Sequence, residues 1–378
     1  MSYSVTMKTT LQVKILPTQK QAETLLATMR QFNTACDYIS EIAFREKCFS
    51  KFALHKIVYY DVKERFSLSA QIVIRAIAKT IDAYKLNKKS QRTFQKYGAI
   101  VYDQRIYSLK ANNRVSLWTL NGREIMPIVF GNYQKKKWHQ RKGQAQLVYK
   151  DSNFYLLISV ETEEMPPVDT SGYLGVDLGI EKIAACSNGM EFSGKVIDAC
   201  REKYQKTRAA LQTKSTKAAK RKLRKIRNKE SNFRKHINHV ISKRIVESAT
   251  RSCSAIVLED LKGIRKQMKA RKQQRSRMHG WSFFQLRQFI TYKAILAGIP
   301  VEIINPAYTS QRCSSCGHTS KKNRKSQAEF VCMSCGCSDN ADHNASKNIA
   351  VLGHVNRPPL NSRSRDNKDQ ILGNCVIA

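Results

Sequence analysis

The chain has 378 residues, with 67 Lys and Arg against 29 Asp and Glu, a formal net charge of +38. Such an excess repels itself in a compact state unless an anion offsets it, so nucleic acid is the expected partner. A membrane surface is the rival, but the sequence has no apolar run of roughly 18 residues and no signal peptide, and at 42% hydrophobic content it is not a basic disordered tail.

The length allows about two or three domains. Residues 7–16 alternate weakly and predict a strand, closed by Pro17-Thr18 at a helix start. From about 19 to 90, apolar residues recur at helical spacing, as in Leu25, Met29 and Phe32 and again in Val73, Ile77, Ile81 and Tyr84. Two to four helices are expected there. From 100 to 163 the pattern turns to strands at Ile100–Tyr102, Val115–Trp118, Ile125–Phe130 and Phe154–Val160. Asn112-Asn113, Asn121-Gly122 and Asp151-Ser152-Asn153 punctuate them as turns. A strand, an inserted helical lobe and further strands predict a small β-barrel interrupted by helices.

Pro166-Pro167 marks a linker. Residues 172–192 predict three short strands, the second and third joined at Asn188-Gly189. The span 201–250 predicts one or two long helices. Ser254–Leu258 and Val301–Ile304 are short apolar runs, read as buried strands, and Trp281–Leu296 as an amphipathic helix between them. A last helix is expected over about 342–352, and 354–378 as a mobile tail.

Three antiparallel strands, a helix, a buried strand, a helix and another strand is the order of the ribonuclease H-like α/β fold. In that order Asp177, Glu259 and Asp342 take the places of its three carboxylates: mid-sheet on the first strand, at the end of the fourth, and on a C-terminal helix. Carboxylates suit Mg²⁺, a hard ion that prefers oxygen ligands. Two such ions about 3.5–4 Å apart stabilise the attacking and leaving oxygens of an in-line phosphodiester displacement. Taken singly, each residue also reads as an ordinary acid at an element end. Asp260 and Asp339 are the neighbours that compete for the assignment. Asp260 is expected on the opposite sheet face from Glu259. Gly175 and Gly179 are expected to leave the backbone around Asp177 uncrowded.

Cys313-x-x-Cys316 and Cys332-x-x-Cys335, 15 residues apart, have the spacing of a four-thiolate Zn²⁺ site. Such a site has no open position, so it is structural. A redox dithiol is the alternative. Cys337 and His318 stand nearby as decoys, and Gly317 and Gly336 supply the freedom a tight knuckle needs. The other cysteines are scattered, and with no export signal a reducing cytosol is the simpler setting.

Between 201 and 235, 15 Lys and Arg face only Glu202 and Glu230, so phosphate is the expected counter-charge, with Lys220, Arg221 and Arg224 as candidate contacts. A second basic stretch runs over 262–280. Trp138, inside the basic run 135–142, is a candidate stacking surface for an unpaired base. Trp281 and Phe283 read as core.

Four stretches carry a family resemblance: Leu258–Arg265, Gly280–Leu286, Tyr308–His318 and Ala341–Ala350. They resemble TnpB, a transposon-encoded family similar to compact type V CRISPR nucleases. The likeness is specific over about 172–352 and collinear but weaker over 1–165. Ser346 departs from it, standing where the family commonly has Ala.

The resemblance implies an RNA-guided, Mg²⁺-dependent DNA endonuclease with two catalytic Mg²⁺ and one structural Zn²⁺. Its partners would be a guide RNA from the transposon end, one protein per guide, and double-stranded target DNA. It further implies a wedge barrel at 1–16 and 95–165, and a helical recognition lobe at 17–94. A RuvC-like nuclease domain would take 170–308 and 339–353, and a target-binding zinc ribbon 309–338. Gln71, at an expected helix start, is the candidate reader of a short target-adjacent motif, because Gln bonds bidentately to adenine. Gln104 is the second candidate. A guided binder that does not cut and a conventional transposase are the competing functions. All three carboxylates are present, and the histidine pair and nucleophilic tyrosine of a single-strand transposase are not found.

Overall fold

The structure is a computed structural model that describes residues 6–261, 283–326 and 328–355. The basic stretch 262–280, Trp281 and the tail beyond Val355 lie outside the described residues. Contacts divide the chain into two units, with the boundary between Thr162 and Glu163.

The first unit opens with β1 (Thr6–Ile15) and then three helices, α1 (Gln19–Arg45), α2 (Lys51–Arg65) and α3 (Ala70–Leu86). Thr18 caps α1 in a capping box with Gln21, so the helix starts where the sequence changes period. Its buried face runs through Leu25, Met29, Phe32, Cys36 and Ile39, and α3 presents Ile72, Val73, Ile77, Ile81 and Tyr84. These faces share one core with the sheet.

The chain continues through β2 (Ile100–Tyr102), β3 (Tyr107–Lys110), β4 (Arg114–Thr119), β5 (Gly122–Val129), α4 (Asn132–Lys137), β6 (Arg141–Lys150) and β7 (Asn153–Glu163). The seven strands form one sheet in the order β2-β6-β7-β1-β5-β4-β3. Its ends curl toward each other. The Tyr102 hydroxyl of β2 donates to the Trp118 carbonyl of β4 at 2.9 Å, and the Tyr107 hydroxyl of β3 donates to the Gly143 carbonyl of β6 at 3.2 Å. The sheet is thus a nearly closed barrel, with the helices inserted after its first strand.

The turn signals hold. Asn112-Asn113 and Asp151-Ser152 all have positive φ, the geometry of tight hairpins. The sequence reading missed β3, β6 and α4. Among the described side chains of β6, Ala145 and Leu147 alone are fully buried, so its apolar alternation is too short to stand out.

The second unit holds β8 (Gly172–Asp177), β9 (Lys182–Cys186), β10 (Glu191–Ser193), α5 (Lys195–Lys214), α6 (Lys217–Ile226), α7 (Lys229–Arg251) and β11 (Ser254–Glu259). After them come α8 (Phe283–Leu296), β12 (Val301–Ile304), β13 (Glu329–Val331), β14 (Ser338–Asn340) and α9 (Ala341–Val355). The main sheet has the order β10-β9-β8-β11-β12. The first three strands are antiparallel, and β11 runs parallel to both β8 and β12.

Side-chain alternation assigns the two faces of this sheet. Leu174, Val176, Ile256 and Leu258 pack with Ile241 and Ile245 of α7 and Leu286 and Ile290 of α8. Tyr173 and Val257 face the other way and pack with Ile349 and Leu352 of α9. By the period of two, Asp177 and Glu259 lie on the α9 face. Leu258 pairs with Val176, so the next step of the register sets Glu259 beside Asp177.

Two elements differ from the expectation. Residues 201–250 form parts of three helices rather than one or two, because Ser215 turns left-handed at φ +49 and Thr216 caps α6 through the Ala219 amide. β12 is an edge strand rather than a buried one. It has a neighbour on one side only, Ile304 alone is buried, and Ile303 is 36% exposed.

Candidate active site and metal centre

Asp177 ends β8, Glu259 ends β11 and Asp342 stands in the first turn of α9. Gly175 is what lets these elements meet. A Cβ there would lie 2.0 Å from the Ser346 carbonyl oxygen and 2.5 Å from the Ala350 nitrogen. The glycine therefore admits the α9 backbone onto the sheet, a sharper role than leaving space around Asp177. Gly353 makes the reciprocal approach, since its Cβ would sit 2.3 Å from Val257 Cγ2.

Asp177 is the carboxylate that feels the other two. Burial, then Glu259, then Asp342 push the Asp177 carboxyl up to about 7. Burial also raises Glu259, against a hydrogen bond from Thr309. Burial raises Asp342, opposed first by Lys182 and then by Arg324. Partly to fully buried all-oxygen donors, one of them raised by its acidic neighbours, suit a hard divalent cation. Asp260, as expected, faces away and takes a 2.8 Å hydrogen bond from Arg287 of α8. Asp339 is occupied by His343 and Lys347, at 3.1 and 2.9 Å.

The sequence reading missed several residues that build this site. The Thr309 hydroxyl donates to Glu259 Oε1 at 2.6 Å. Arg324 Nη2 lies 3.7 Å from Asp342 Oδ1. Asn340 accepts the amide N–H groups of Asp342 and His343 and is itself held by Lys182 Nζ at 2.9 Å. Asn348 of α9 donates to the carbonyls of Thr309 and Arg312, and Asn344 donates to Arg312 as well. Thr309 lay in a motif already singled out. Arg324 lies in the run 321–325, which in sequence looks like any solvated basic run.

The four cysteine sulfurs of 313, 316, 332 and 335 all lie within 4.8 Å of one another. The Cys313–Cys335 and Cys316–Cys332 separations are 3.7 and 3.5 Å. A tetrahedral zinc with Zn–S bonds near 2.3 Å has S–S edges of about 3.8 Å, so the donor set fits one such ion. Gly317 and Gly336 take φ of +76 and +70 as each knuckle turns. His318 and Cys337 contribute backbone carbonyls, to the amides of Cys313 and Cys332, and stay outside the sulfur cluster. The ten described cysteines are all free thiols.

Gln71 and Gln104 line one cavity of about 470 Å³ with Lys51, Arg75, Asp103 and Arg105. Gln71 is already engaged. Its amide donates to Asp103, which also takes Arg75 at 2.5 Å, and its oxygen accepts from Arg105 at 3.4 Å. Lys220, Arg221 and Arg224 are exposed on α6, opposite the buried Ala219 and Ile226. Trp138 is half-buried instead of free. It meets Phe130 edge-on at 4.2 Å, with the Arg141 guanidinium 4.9 Å over its ring. Phe283 is core, as expected. Among the described residues no helix is long and apolar enough to cross a membrane.

Residues 157–275 match the family model OrfB_IS605, a probable transposase, and residues 283–349 match the Cas12f1-like TNB domain. The chain is 34% identical over 251 residues to the CRISPR-associated endodeoxyribonuclease Cas12f1 of Sulfoacidibacillus thermotolerans, over 61% of this chain and 56% of that protein. It is 32% identical over 227 residues to the putative RNA-guided DNA endonuclease InsQ of Escherichia coli K12, over 53% and 54%. A TnpB-like protein of Methanocaldococcus jannaschii is 35% identical over 138 residues, over 35% and 49%. The chain thus spans about half the length of these curated relatives. The mini-RNA-guided endonuclease CRISPR-Cas_phi3 shares the fold, at a TM-score of 0.60 and 12% identity over 93% of each chain.

The fold shared with that structure is an interrupted, nearly closed barrel followed by a mixed five-stranded sheet, and in this chain the sheet unit also carries the acidic residues and the four-cysteine cluster. Over residues 157–275 and 283–349 this chain is similar to TnpB-like and Cas12f1-like proteins.

Proposed function

We propose that the chain is an RNA-guided DNA endonuclease of a transposable element. It binds a guide RNA derived from the transposon end, reads a short motif beside its target and cuts double-stranded DNA. The observation that carries this reading is the placement of Asp177 and Glu259 at the ends of two paired strands and of Asp342 in the first turn of the helix packed on them, where Glu259 and Asp342 both raise the Asp177 carboxyl. The strand order β10-β9-β8-β11-β12 supports a ribonuclease H-like unit of RuvC type. The barrel and helices of the first unit take the wedge and recognition roles at 1–16 and 95–165 and at 17–94. The nuclease unit takes 170–308 and 339–353, and the ribbon takes 309–338.

Asp177, Glu259 and Asp342 would hold two Mg²⁺, which when bound supply the Lewis acidity for phosphodiester hydrolysis. Thr309 fixes the orientation of Glu259. Asn340 and Lys182 fix the start of α9 and hence Asp342. Arg324 offers a positive charge beside Asp342 for a phosphate oxygen. Cys313, Cys316, Cys332 and Cys335 would hold one Zn²⁺ that closes the ribbon and takes no part in the reaction. The +38 charge and the exposed Lys220, Arg221 and Arg224 suit the phosphates of guide RNA. The setting is the cytosol, at the nucleoid.

The test is to purify the chain with its RNA, sequence that RNA, and assay cleavage of a matched duplex with Mg²⁺. Copurified RNA from a transposon end and guide-dependent cutting are expected. Asp177→Ala, Glu259→Ala and Asp342→Ala should each abolish cutting and leave guided binding within about threefold, since affinity comes from base pairing and basic contacts. Guided binding without cutting by the unaltered chain would make it a binder only. Absence of RNA, with direct action on transposon ends, would make it a transposase.

A further inference from the structure

Nine described non-glycine residues have positive φ, and eight of them close a hairpin or follow a helix end. Tyr308 is the exception, at φ +66 in the segment that leads from β12 to the first cysteine. A bulky side chain in this region is strained. Its carbonyl accepts the amides of Gln311 and Arg312 at 2.9 and 3.0 Å, which makes a single helical turn. If that turn were the whole requirement, Gly or Asn would meet it with less strain.

What tyrosine adds is its ring: the residue is 65% exposed, and among the described residues the ring makes no aromatic or cation contact. The next residue, Thr309, is 4% exposed and hydrogen-bonds Glu259. Consecutive Cα atoms are about 3.8 Å apart, so Tyr308 is carried on the backbone directly beside the residue that bonds Glu259, at the margin of the carboxylate centre. The left-handed backbone turns Thr309 inward to Glu259 while Tyr308 stays in solvent. A free aromatic face beside a hydrolytic centre suits an unpaired nucleobase, because every base offers a π-face and stacking tolerates any sequence.

We propose that Tyr308 is a stacking platform for an unpaired base of the DNA strand that enters the carboxylate centre. The proposal rests on the nuclease reading above and adds the residue that seats the substrate strand.

The test compares Tyr308→Phe, Tyr308→Asn and Tyr308→Gly in the full chain with its RNA. Three measurements are made: steady-state cleavage with Mg²⁺, quenching of a single-stranded 2-aminopurine oligonucleotide with Ca²⁺ in place of Mg²⁺, and melting temperature. Phe should cut and quench within about twofold of the unaltered chain. Asn and Gly should raise KM about tenfold and lose most of the quenching. Their melting temperatures should be unchanged or higher, because the strain is relieved. Asn and Gly variants that cut and quench normally overturn the proposal. So do variants that melt lower and lose activity only in proportion, which would assign the ring to packing. If the unaltered chain does not cut but quenching still depends on the ring, the nuclease reading fails and the platform stands. If the unaltered chain cuts and quenching ignores the ring, only the platform fails.

Discussion

The hydroxyl of Thr309 donates a 2.6 Å hydrogen bond to the carboxylate of Glu259, 50 residues away in sequence. Thr309 lies at the entrance to the cysteine ribbon, and its carbonyl is gripped by Asn348 of the helix that carries Asp342. One threonine therefore joins the ribbon, the last helix and β11 at the carboxylate centre.

Thr309→Val removes the donor and leaves a buried carboxylate without its partner. A hydrogen bond to a charged group is worth about 1.5–3 kcal/mol. Cleavage should fall at least about tenfold at limiting Mg²⁺, whereas Thr309→Ser should stay within about threefold. A Mg²⁺ titration of both variants checks this, and equal loss in Ser and Val would assign the residue to packing.

Asp177 makes stability depend on pH. Its folded carboxyl is raised to about 7 by burial and by Glu259 and Asp342, above its ordinary value of 3.8. The folded state thus binds a proton that the unfolded state has released, and stability falls as pH rises through that window. In Mg²⁺-free buffer, Asp177→Asn should melt higher than the unaltered chain at pH 8. The gap should close as pH falls toward 4. Adding Mg²⁺ at pH 8 should stabilise the unaltered chain and not the variant. Thermal melts across pH decide it, and a gap that ignores pH would remove the crowded-charge account.

The purified chain should contain one zinc per molecule. Cys332→Ser should lose it and lower both melting temperature and cleavage, because a structural zinc contributes folding free energy directly. The ribbon is tied to α9 through Asn344, so its loss should reach the carboxylates. Elemental analysis with melting curves tests this. A zinc-free but equally stable Cys332→Ser chain would contradict it.

Gln71 should read one position of the target-adjacent motif. It shares its cavity with Gln104 and is held by Asp103 and Arg105, so its amide is oriented before DNA arrives. A randomised flanking library cut by the unaltered chain and by Gln71→Ala should show lost preference at a single position. An unchanged profile would move the reading to another residue, with Gln104→Ala the next substitution to test.

Local chemistry made much of this protein legible before any coordinates. Cys-x-x-Cys spacing is a short-range constraint, so the sulfur cluster closed as read. Hairpin residues such as Asn112-Asn113 and Asn188-Gly189 declare themselves, because few residues tolerate positive φ. The short strands in 172–192 and the apolar run 254–258 were legible as strands, and a period of two is enough to set Asp260 on the face opposite Glu259. Trp138 was read from its basic neighbours alone, and its packing against Phe130 depends on the barrel.

The sequence by itself determined which residue types were present in which order: the acidic ends, the paired cysteines, the basic helices and the turn points. The tertiary structure alone decided which of them meet. It set β12 at a sheet edge, brought Arg324 to Asp342 and Thr309 to Glu259, and engaged Gln71 with Asp103. Those pairings lie between 18 and 50 residues apart along the chain, and whether such groups touch depends on how helices and sheets pack rather than on any local period.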